Sequence, residues 1–317
     1  MAVVIPSWNS LELLPRCLGS LAAQELELEI FVVDNGSEDG SIAYLEREGV
    51  AHLSLSRNVG FATAMNLGAR HVSATAILAL NADTALEPGC VARLLGTLEG
   101  SSSLGGVQPR ILQLDGDDAR GDVAGARLYS AGQALLADGR AVEEGAGEEQ
   151  SPPLLREREV FGVCGAACLL RRELFADLGG YDESYFSFYE DVDLNVRARI
   201  AGWGFAYVPE AVVWHVGNAS WLAGFAQPSA ENARLVARNR LATQIKFMPA
   251  GAVPRIAAVE VGALLRAARR RRLRATLRGK LGAFGRLPAL LRERRRLRRL
   301  GDPERARRWL GVRAGTG

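Results

Sequence analysis

The sequence predicts an α/β protein with a largely parallel sheet, and three observations carry that expectation. Apolar runs alternate with segments of helical spacing through the first ~100 residues, as in βαβ units. The runs are apolar throughout, as strands buried on both faces are. Three of them end in side-chain oxygens: Ser7 and Asn9, then Asp34 and Asn35, then Asn81 and Asp83. In such sheets ligands collect at the carboxyl ends of the strands.

Taken in order, Ala2–Ile5 reads as a strand ended by Pro6, and Leu11–Ala23 as a helix with Leu11, Leu14, Leu18 and Leu21 on one face. Glu29–Val33 is the next strand, stopped by a dense turn signal at Asp34-Asn35-Gly36-Ser37. A helix over Ser41–Glu48, a strand over His52–Leu55, a helix over Thr63–His71 and a strand over Ala76–Leu80 follow. Strand-like sequence resumes at Leu104–Leu114. The acidic, glycine-rich stretch Asp115–Glu159 reads as a long excursion with a strand pair around Leu128–Leu136. Val160–Leu170 is apolar, and Gly165 within it signals a close backbone approach. Arg172–Leu178 is a short helix. A helix over Asp191–Ala201, a strand over Ala206–Val208 and a last strand through Val212 to His215 complete this part. Glu231–Lys246 is helical, and from Arg266 the sequence is arginine-rich with Leu and Ala interleaved.

Composition sets bounds on function. The 317 residues are 48% hydrophobic and 24% charged, a globular composition. Residues 1–250 hold 19 basic and 32 acidic residues, whereas residues 251–317 hold 20 and 4. The acidic part excludes a general polyanion binder; the basic part suits a phosphate-bearing surface. Nucleic acid is disfavoured, because no recognition motif accompanies the charge. An amphipathic polybasic segment on an anionic membrane is the functional reading of Arg266–Arg274 and Arg292–Arg299, beside a plain solvated helical face. Cys17, Cys90, Cys164 and Cys168 are too scattered for a disulfide framework and read as small buried hydrophobes. The strand-like N-terminus and the lack of a long apolar run predict neither signal peptide nor transmembrane helix. A cytoplasmic enzyme, peripheral on the inner face of the membrane, is expected.

The stretch from Tyr181 to His215 holds Glu190, Asp191 and Asp193 directly after four aromatic residues. A carboxylate beside apolar surface is desolvated and becomes a better proton acceptor near neutrality. Acidic residues in a first helical turn also simply complement the helix dipole; this segment alone leaves both readings open. Asp83 and His215, at two strand ends, have the chemistry to share Mn²⁺ or Mg²⁺. Asp34 is placed to accept from a base or ribose. Arg57 and Asn58 precede Gly60, whose small size admits a ligand or merely a turn. Asp193, four residues before Arg197, reads as a surface ion pair.

Five motifs in order, VIPSWNS (4–10), VVDNGSEDGS (32–41), NVGFATAMNLG (58–68), LNADT (80–84) and the stretch 179–215, resemble glycosyltransferase family 2. The similarity is strongest to rhamnosyltransferase-like bacterial members of GT-A fold. The resemblance implies a catalytic domain over 1–230 and a helical, Arg-rich region over 231–317. It implies an inverting, metal-dependent transferase that takes a dTDP- or UDP-sugar and builds cell-surface polysaccharide on a glycan or polyprenyl-linked acceptor. Pro6, Ser7, Asn9, Asp34, Asn35, Arg57, Asn58, Gly60, Asn66, Asn81 and Ala82 would line the nucleotide sugar. Asp83 and His215 would hold the divalent cation, with Asn81 standing where the family more often has Asp. Asp191 would be the base, with Glu190 beside it and Gly165, Phe188 and Tyr189 on the acceptor side. A UDP-hexose donor, or a sugar-nucleotide-binding protein without transferase activity, is the alternative. A nucleotidyltransferase would need a glycine-rich basic loop after the first strand, and a glycosidase has no use for strand-end nucleotide residues.

Overall fold

A computed structural model describes residues 1–114, 122–216 and 229–313; the start of the expected acidic excursion lies outside them. Strands β1 (Ala2–Ser7), β2 (Glu29–Asp34), β3 (His52–Ser54) and β4 (Ala76–Leu80) lie side by side in the order β3-β2-β1-β4, all parallel. Helices α1 (Leu14–Ala22), α2 (Ser41–Arg47) and α3 (Phe61–His71) make the crossovers. The apolar runs are covered on both faces, which is why they lack a period of two: Val4 packs in one core cluster, Val3 and Ile5 in the other.

Beyond β4 the sheet becomes mixed. β5 (Thr84–Leu86) and α4 (Cys90–Glu99) lead into β6 (Leu104–Gln113), β7 (Leu128–Ser130), β8 (Gln133–Leu135), β9 (Ala141–Glu143) and the two-residue β10 (Arg158–Glu159). β11 (Ala167–Arg171) runs antiparallel between β4 and β6. After α5 (Arg172–Leu178) and α6 (Glu190–Ala201), β12 (Gly204–His215) pairs parallel with β6 and antiparallel with β5. The two strands expected between Ala206 and His215 are this single strand, irregular between Val208 and Val212. The expected pair around Leu128–Leu136 is also revised: β7 joins β6, while β8 forms a hairpin with β9. Glu143 therefore belongs to an ordered strand.

The C-terminal helices are α7 (Ala230–Phe247), α8 (Val253–Arg269), α9 (Leu273–Gly285), α10 (Leu287–Leu300) and α11 (Pro303–Arg307). Among the described residues, no helix is long and apolar enough to cross a membrane. Part of the arginine-rich sequence is packed: Ala283, Leu290 and Leu297 are buried. Asp193 is not on the surface either. It is fully buried, accepts from Arg197 at 2.6 Å and pairs with Lys246 of α7 at 2.5 Å. The Lys246 ammonium also meets Asp182 at 2.9 Å and Glu293 of α10 at 3.0 Å. Burial alone would pull the Lys246 pKa down, but Asp193, Tyr185, Asp182 and Glu293 together hold it well above its ordinary value.

Lys246→Met is expected to lower the unfolding free energy by about 3–5 kcal/mol, because it leaves buried carboxylates without their cation. Urea unfolding at pH 7 measures this, and a loss within experimental error would show that the cluster is not stabilising. Burial raises the Asp182 carboxyl less than Lys246 and Ser184 lower it, and it sits at about 2. Its contribution is complete above its unfolded value near ~3.9 and disappears as pH falls toward 2.

Candidate functional site

One cleft gathers Asn81 and Asp83 after β4 and His215 at the end of β12. β11 enters antiparallel to β4, so the Asn81 N–H donates to Ala166 at 2.9 Å and brings Gly165 to the end of β4. β12 pairs with β5 so that His215 lies opposite Thr84. That register places His215 Nε2 3.1 Å from Asp83 Oδ1 and 3.4 Å from Asn81 Nδ2. The Tyr129 ring meets the imidazole edge-on, 4.4 Å between centroids. His215 is 3% exposed and its Nδ1 is buried without a partner. A carboxylate oxygen and an imidazole nitrogen converging at the rim of a cleft suit a hard or borderline divalent cation.

Across a cleft of about 300 Å³ or slightly more stand Asp191 and Glu190, with Phe188 and Tyr189 beside them. Asp191 is held by three donors: the Gly165 N–H at 3.0 Å and Gln133 Nε2 at 3.1 Å on one oxygen, and the Val192 N–H at 2.8 Å on the other. A Cβ on Gly165 would stand 3.4 Å from that of Asp191, so the close approach foreseen at Gly165 is to the carboxylate. Burial raises the Asp191 pKa above the ordinary value, against the pull of these donors. Glu190 is 7% exposed with one carboxylate oxygen unpartnered, and burial followed by the Asp191 charge pushes its pKa well up.

The turn before α6 is strained. Phe186, Phe188 and Tyr189 all lie in the left-handed region, at φ 67°, 68° and 69°, which costs non-glycine residues about 1–3 kcal/mol each. Asn239 of α7, fully buried, donates to the carbonyls of Tyr185, Ser187 and Phe188 at 2.7–2.9 Å. Arg238 adds a bond to Tyr185 at 2.7 Å, and the Ala62 N–H takes the Phe186 carbonyl. The backbone of Gly60 comes so near Phe186 that a Cβ would meet its carbonyl oxygen at 2.5 Å. The backbone of Gly60 thus approaches this loop closely. Asn66 has a bracing role too: its amide donates to Tyr181 and Glu183 and accepts from the Tyr181 N–H.

Next to the cleft, Ser7 lies opposite Asp34 where β1 and β2 pair. Ser7 Oγ and Asp34 Oδ2 are both buried without a partner, while Asp34 Oδ1 accepts from Ser37. Two buried polar oxygens without partners on adjacent strand ends mark a polar site. Asn35 and Asn9 support its loops, taking the N–H groups of Val59 and Glu38. Arg57 lies against Gly36, whose Cβ would meet the Arg57 backbone at 2.7 Å, and Asn58 bonds the Gly60 N–H. Pro6 is partly covered and Ala82 is buried.

Three residues that the sequence reading passed over complete the site. Gln133 gives its amide nitrogen to both Asp191 and Glu143, at 3.1 and 3.0 Å. Asn195 donates to the Gln133 oxygen at 2.9 Å and so fixes which way that amide faces. Glu143 also accepts from Ser130 at 2.6 Å; burial and then the Asp191 charge raise its pKa to about 7. Glu143, Cys164 and Asp191 offer oxygen and sulfur atoms within 4.8 Å of one another. Burial keeps the Cys164 thiol well above its ordinary pKa.

Among known proteins, the family model described as "Glycosyl transferase family 2" matches residues 2–179. The chain is 30% identical over 228 residues to N-acetylglucosaminyl-diphospho-decaprenol L-rhamnosyltransferase of Mycobacterium tuberculosis, covering 64% of this chain and 71% of that protein. It is 31% identical to the pre-mycofactocin glycosyltransferase of the same organism, over 68% of this chain and 42% of that one. Among solved structures, its fold is similar to GalNAc-T7 with UDP, GalNAc and Mn²⁺, with a TM-score of 0.59 at 18% identity over 78% of this chain and 47% of that one. A mannosyltransferase of Pyrobaculum calidifontis in complex with GDP-Man and Mn²⁺ gives 0.51 at 16% identity, over 94% and 85%. The fold is GT-A.

Folded Glu143 holds a proton up to about pH 7 that the unfolded chain releases near ~4.3, so its burial destabilises increasingly as pH rises across that window. Glu143→Gln should therefore raise the melting temperature relative to the parent more at pH 8 than at pH 5. A difference independent of pH would mean that Glu143 does not titrate in this range.

Proposed function

The chain belongs to glycosyltransferase family 2, and from that premise we propose that it is an inverting transferase moving a sugar from a nucleoside-diphosphate donor to a hydroxyl of a polyprenyl-linked or glycan acceptor. Rhamnose is the first-choice sugar, since a relative matched over 71% of its own length is named N-acetylglucosaminyl-diphospho-decaprenol L-rhamnosyltransferase. The observation that carries the reading is the single cleft in which Asp83 and His215 face Asp191 and Glu190, beside the orphaned Ser7 and Asp34.

Asp34 and Ser7 accept from the base and ribose of the donor. Asp83 and His215 hold Mn²⁺ or Mg²⁺, which when bound offsets charge on the diphosphate as it leaves. Asp191 takes the proton of the incoming hydroxyl; its three donors aim the carboxylate, and burial keeps its proton affinity high. Glu190, shifted by burial toward its protonated form, is suited to donate a hydrogen bond to the acceptor rather than to share the base role. One base facing away from the leaving group gives a single displacement, hence inversion.

Asp191→Asn should retain donor binding while turnover falls by about 10²–10⁴-fold, measured as nucleoside diphosphate release across dTDP-rhamnose and UDP-hexoses. Near-parental turnover by this variant would move the base to another residue.

We also propose that the C-terminal helices rest on an anionic membrane. Leu273, Leu277, Leu281 and Phe284 form one exposed stripe along α9, and Val253, Val261 and Leu265 are exposed on α8. Arginines flank both, each worth about 1 kcal/mol near anionic lipid. Leu281→Glu with Phe284→Glu should weaken binding to phosphatidylserine-containing vesicles at least about tenfold, read by sedimentation. Unaltered binding would exclude this face.

A further inference from the structure

A second cavity, of about 300 Å³, opens behind the catalytic helix and shares no lining residue with the cleft. That volume is at the small end of ligand pockets. Its inner wall is apolar: Leu135, Val196 and Ile200 on one side, Leu297, Ala306 and Leu310 on the other. Its rim is cationic, made by Arg294, Arg295, Arg298 and Arg307, and no Asp or Glu lines it. Lys246 reaches the wall, but its ammonium is already taken by three carboxylates.

The arginines at the rim are only partly satisfied. Arg294 donates to the Ile245 carbonyl at 2.7 Å, a neutral partner. Burial lowers its pKa, and the charges of Arg307 and Arg298 lower it further. Arg307 bonds Glu304 through one terminal nitrogen while its Nε is buried with no acceptor. Like charges gathered over an apolar hole are unfavourable unless an anion joins them. Guanidinium forks match phosphate oxygens two at a time.

We propose that this cavity binds the end of a phosphate-headed lipid, its hydrocarbon chain among Val196, Ile200 and Leu310 and its phosphate on the arginines. The inference does not rest on the transferase reading, and it is separate from the exposed stripe of α9. Because Val196 and Ile200 belong to the helix that begins with Asp191, an occupied cavity would brace that helix from behind.

The test is calorimetric titration of the whole chain with dodecyl phosphate below its micelle concentration. Saturable one-to-one binding is expected, with inorganic phosphate and an uncharged dodecyl glycoside each at least about tenfold weaker. Ala306→Phe fills the hole, and Leu310→Trp blocks its half-buried mouth with less demand on the fold; each should weaken binding at least about tenfold. Arg294→Gln with Arg298→Gln should do the same. Arg292→Gln with Arg299→Gln, which removes equal charge away from the cavity, should stay within about twofold. Equal binding of the glycoside, equal binding of inorganic phosphate, or indifference to both filling variants would overturn the proposal. An equal loss in the control pair would reduce the effect to net charge and overturn it as well.

Discussion

One buried ammonium ties the catalytic helix to everything that follows it. Lys246 sits at the end of α7, and its three carboxylate partners come from the loop after α5, from α6 and from α10. A lysine in that position costs several kcal/mol of desolvation unless it is paired. Three pairings in three directions fix α7 in translation and rotation. With α7 placed, Asn239 lies two helical turns earlier, under the carbonyls of the aromatic loop. That loop carries three residues in left-handed conformation, and such strain persists only where surrounding bonds over-determine it. The orientation of Asp191 therefore depends on a helix that contributes almost nothing to the lining of the cleft.

This dependence explains what could be read in the sequence. The parallel half of the fold was legible because its signals are local: unbroken apolar runs, helical spacing, and turn residues at Asp34–Ser37 and Asn81–Asp83. Arg172–Leu178 was legible to the residue, since Gly179 and Gly180 end it. β5 and α4 went unread between Thr84 and Glu99, because a three-residue strand carries no period. Gln133 and Glu143 were hidden in an acidic, glycine-rich stretch whose strands are three residues long. Asp193 was misjudged for a different reason. Its i,i+4 arginine is real, but its second partner lies 53 positions later, and no local pattern reports that. Gly60 was rightly seen as a close-approach position; what approaches it is Phe186, which sequence spacing does not reveal.

The four carboxylates around α6 show how environment separates identical chemistry. Asp193 pairs with Lys246 and Arg197. Asp191 is solvated by protein donors in place of water. Glu190 has no such donor on one oxygen, and burial shifts it toward its protonated form. Glu143 stands between these cases, with two donors and a titration near neutrality. Burial raises Asp191, Glu190 and Glu143 alike, and their donors oppose that rise to different degrees.

The charge asymmetry of the chain acquires a physical sense from the same argument. On the proposed reading, a diphosphate must enter a cleft that already contains Asp83, Asp191, Glu143 and Glu190. Were all four ionised, the donor would face a strongly repulsive field. Two devices lower it: burial shifts Glu190 and Glu143 toward their protonated forms, and Asp83 with His215 offers a ligand pair for a cation. The positive charge that a phosphate-binding protein would otherwise display beside its substrate is found instead on α8 to α11. There Lys280 of α9 pairs with Glu260, and the arginines are left for the proposed surface contact. Placing arginines in the cleft would have paired with Asp191 and lowered its proton affinity. Separating an acidic catalytic body from a basic helical flank keeps the base basic while still presenting cations to a charged surface.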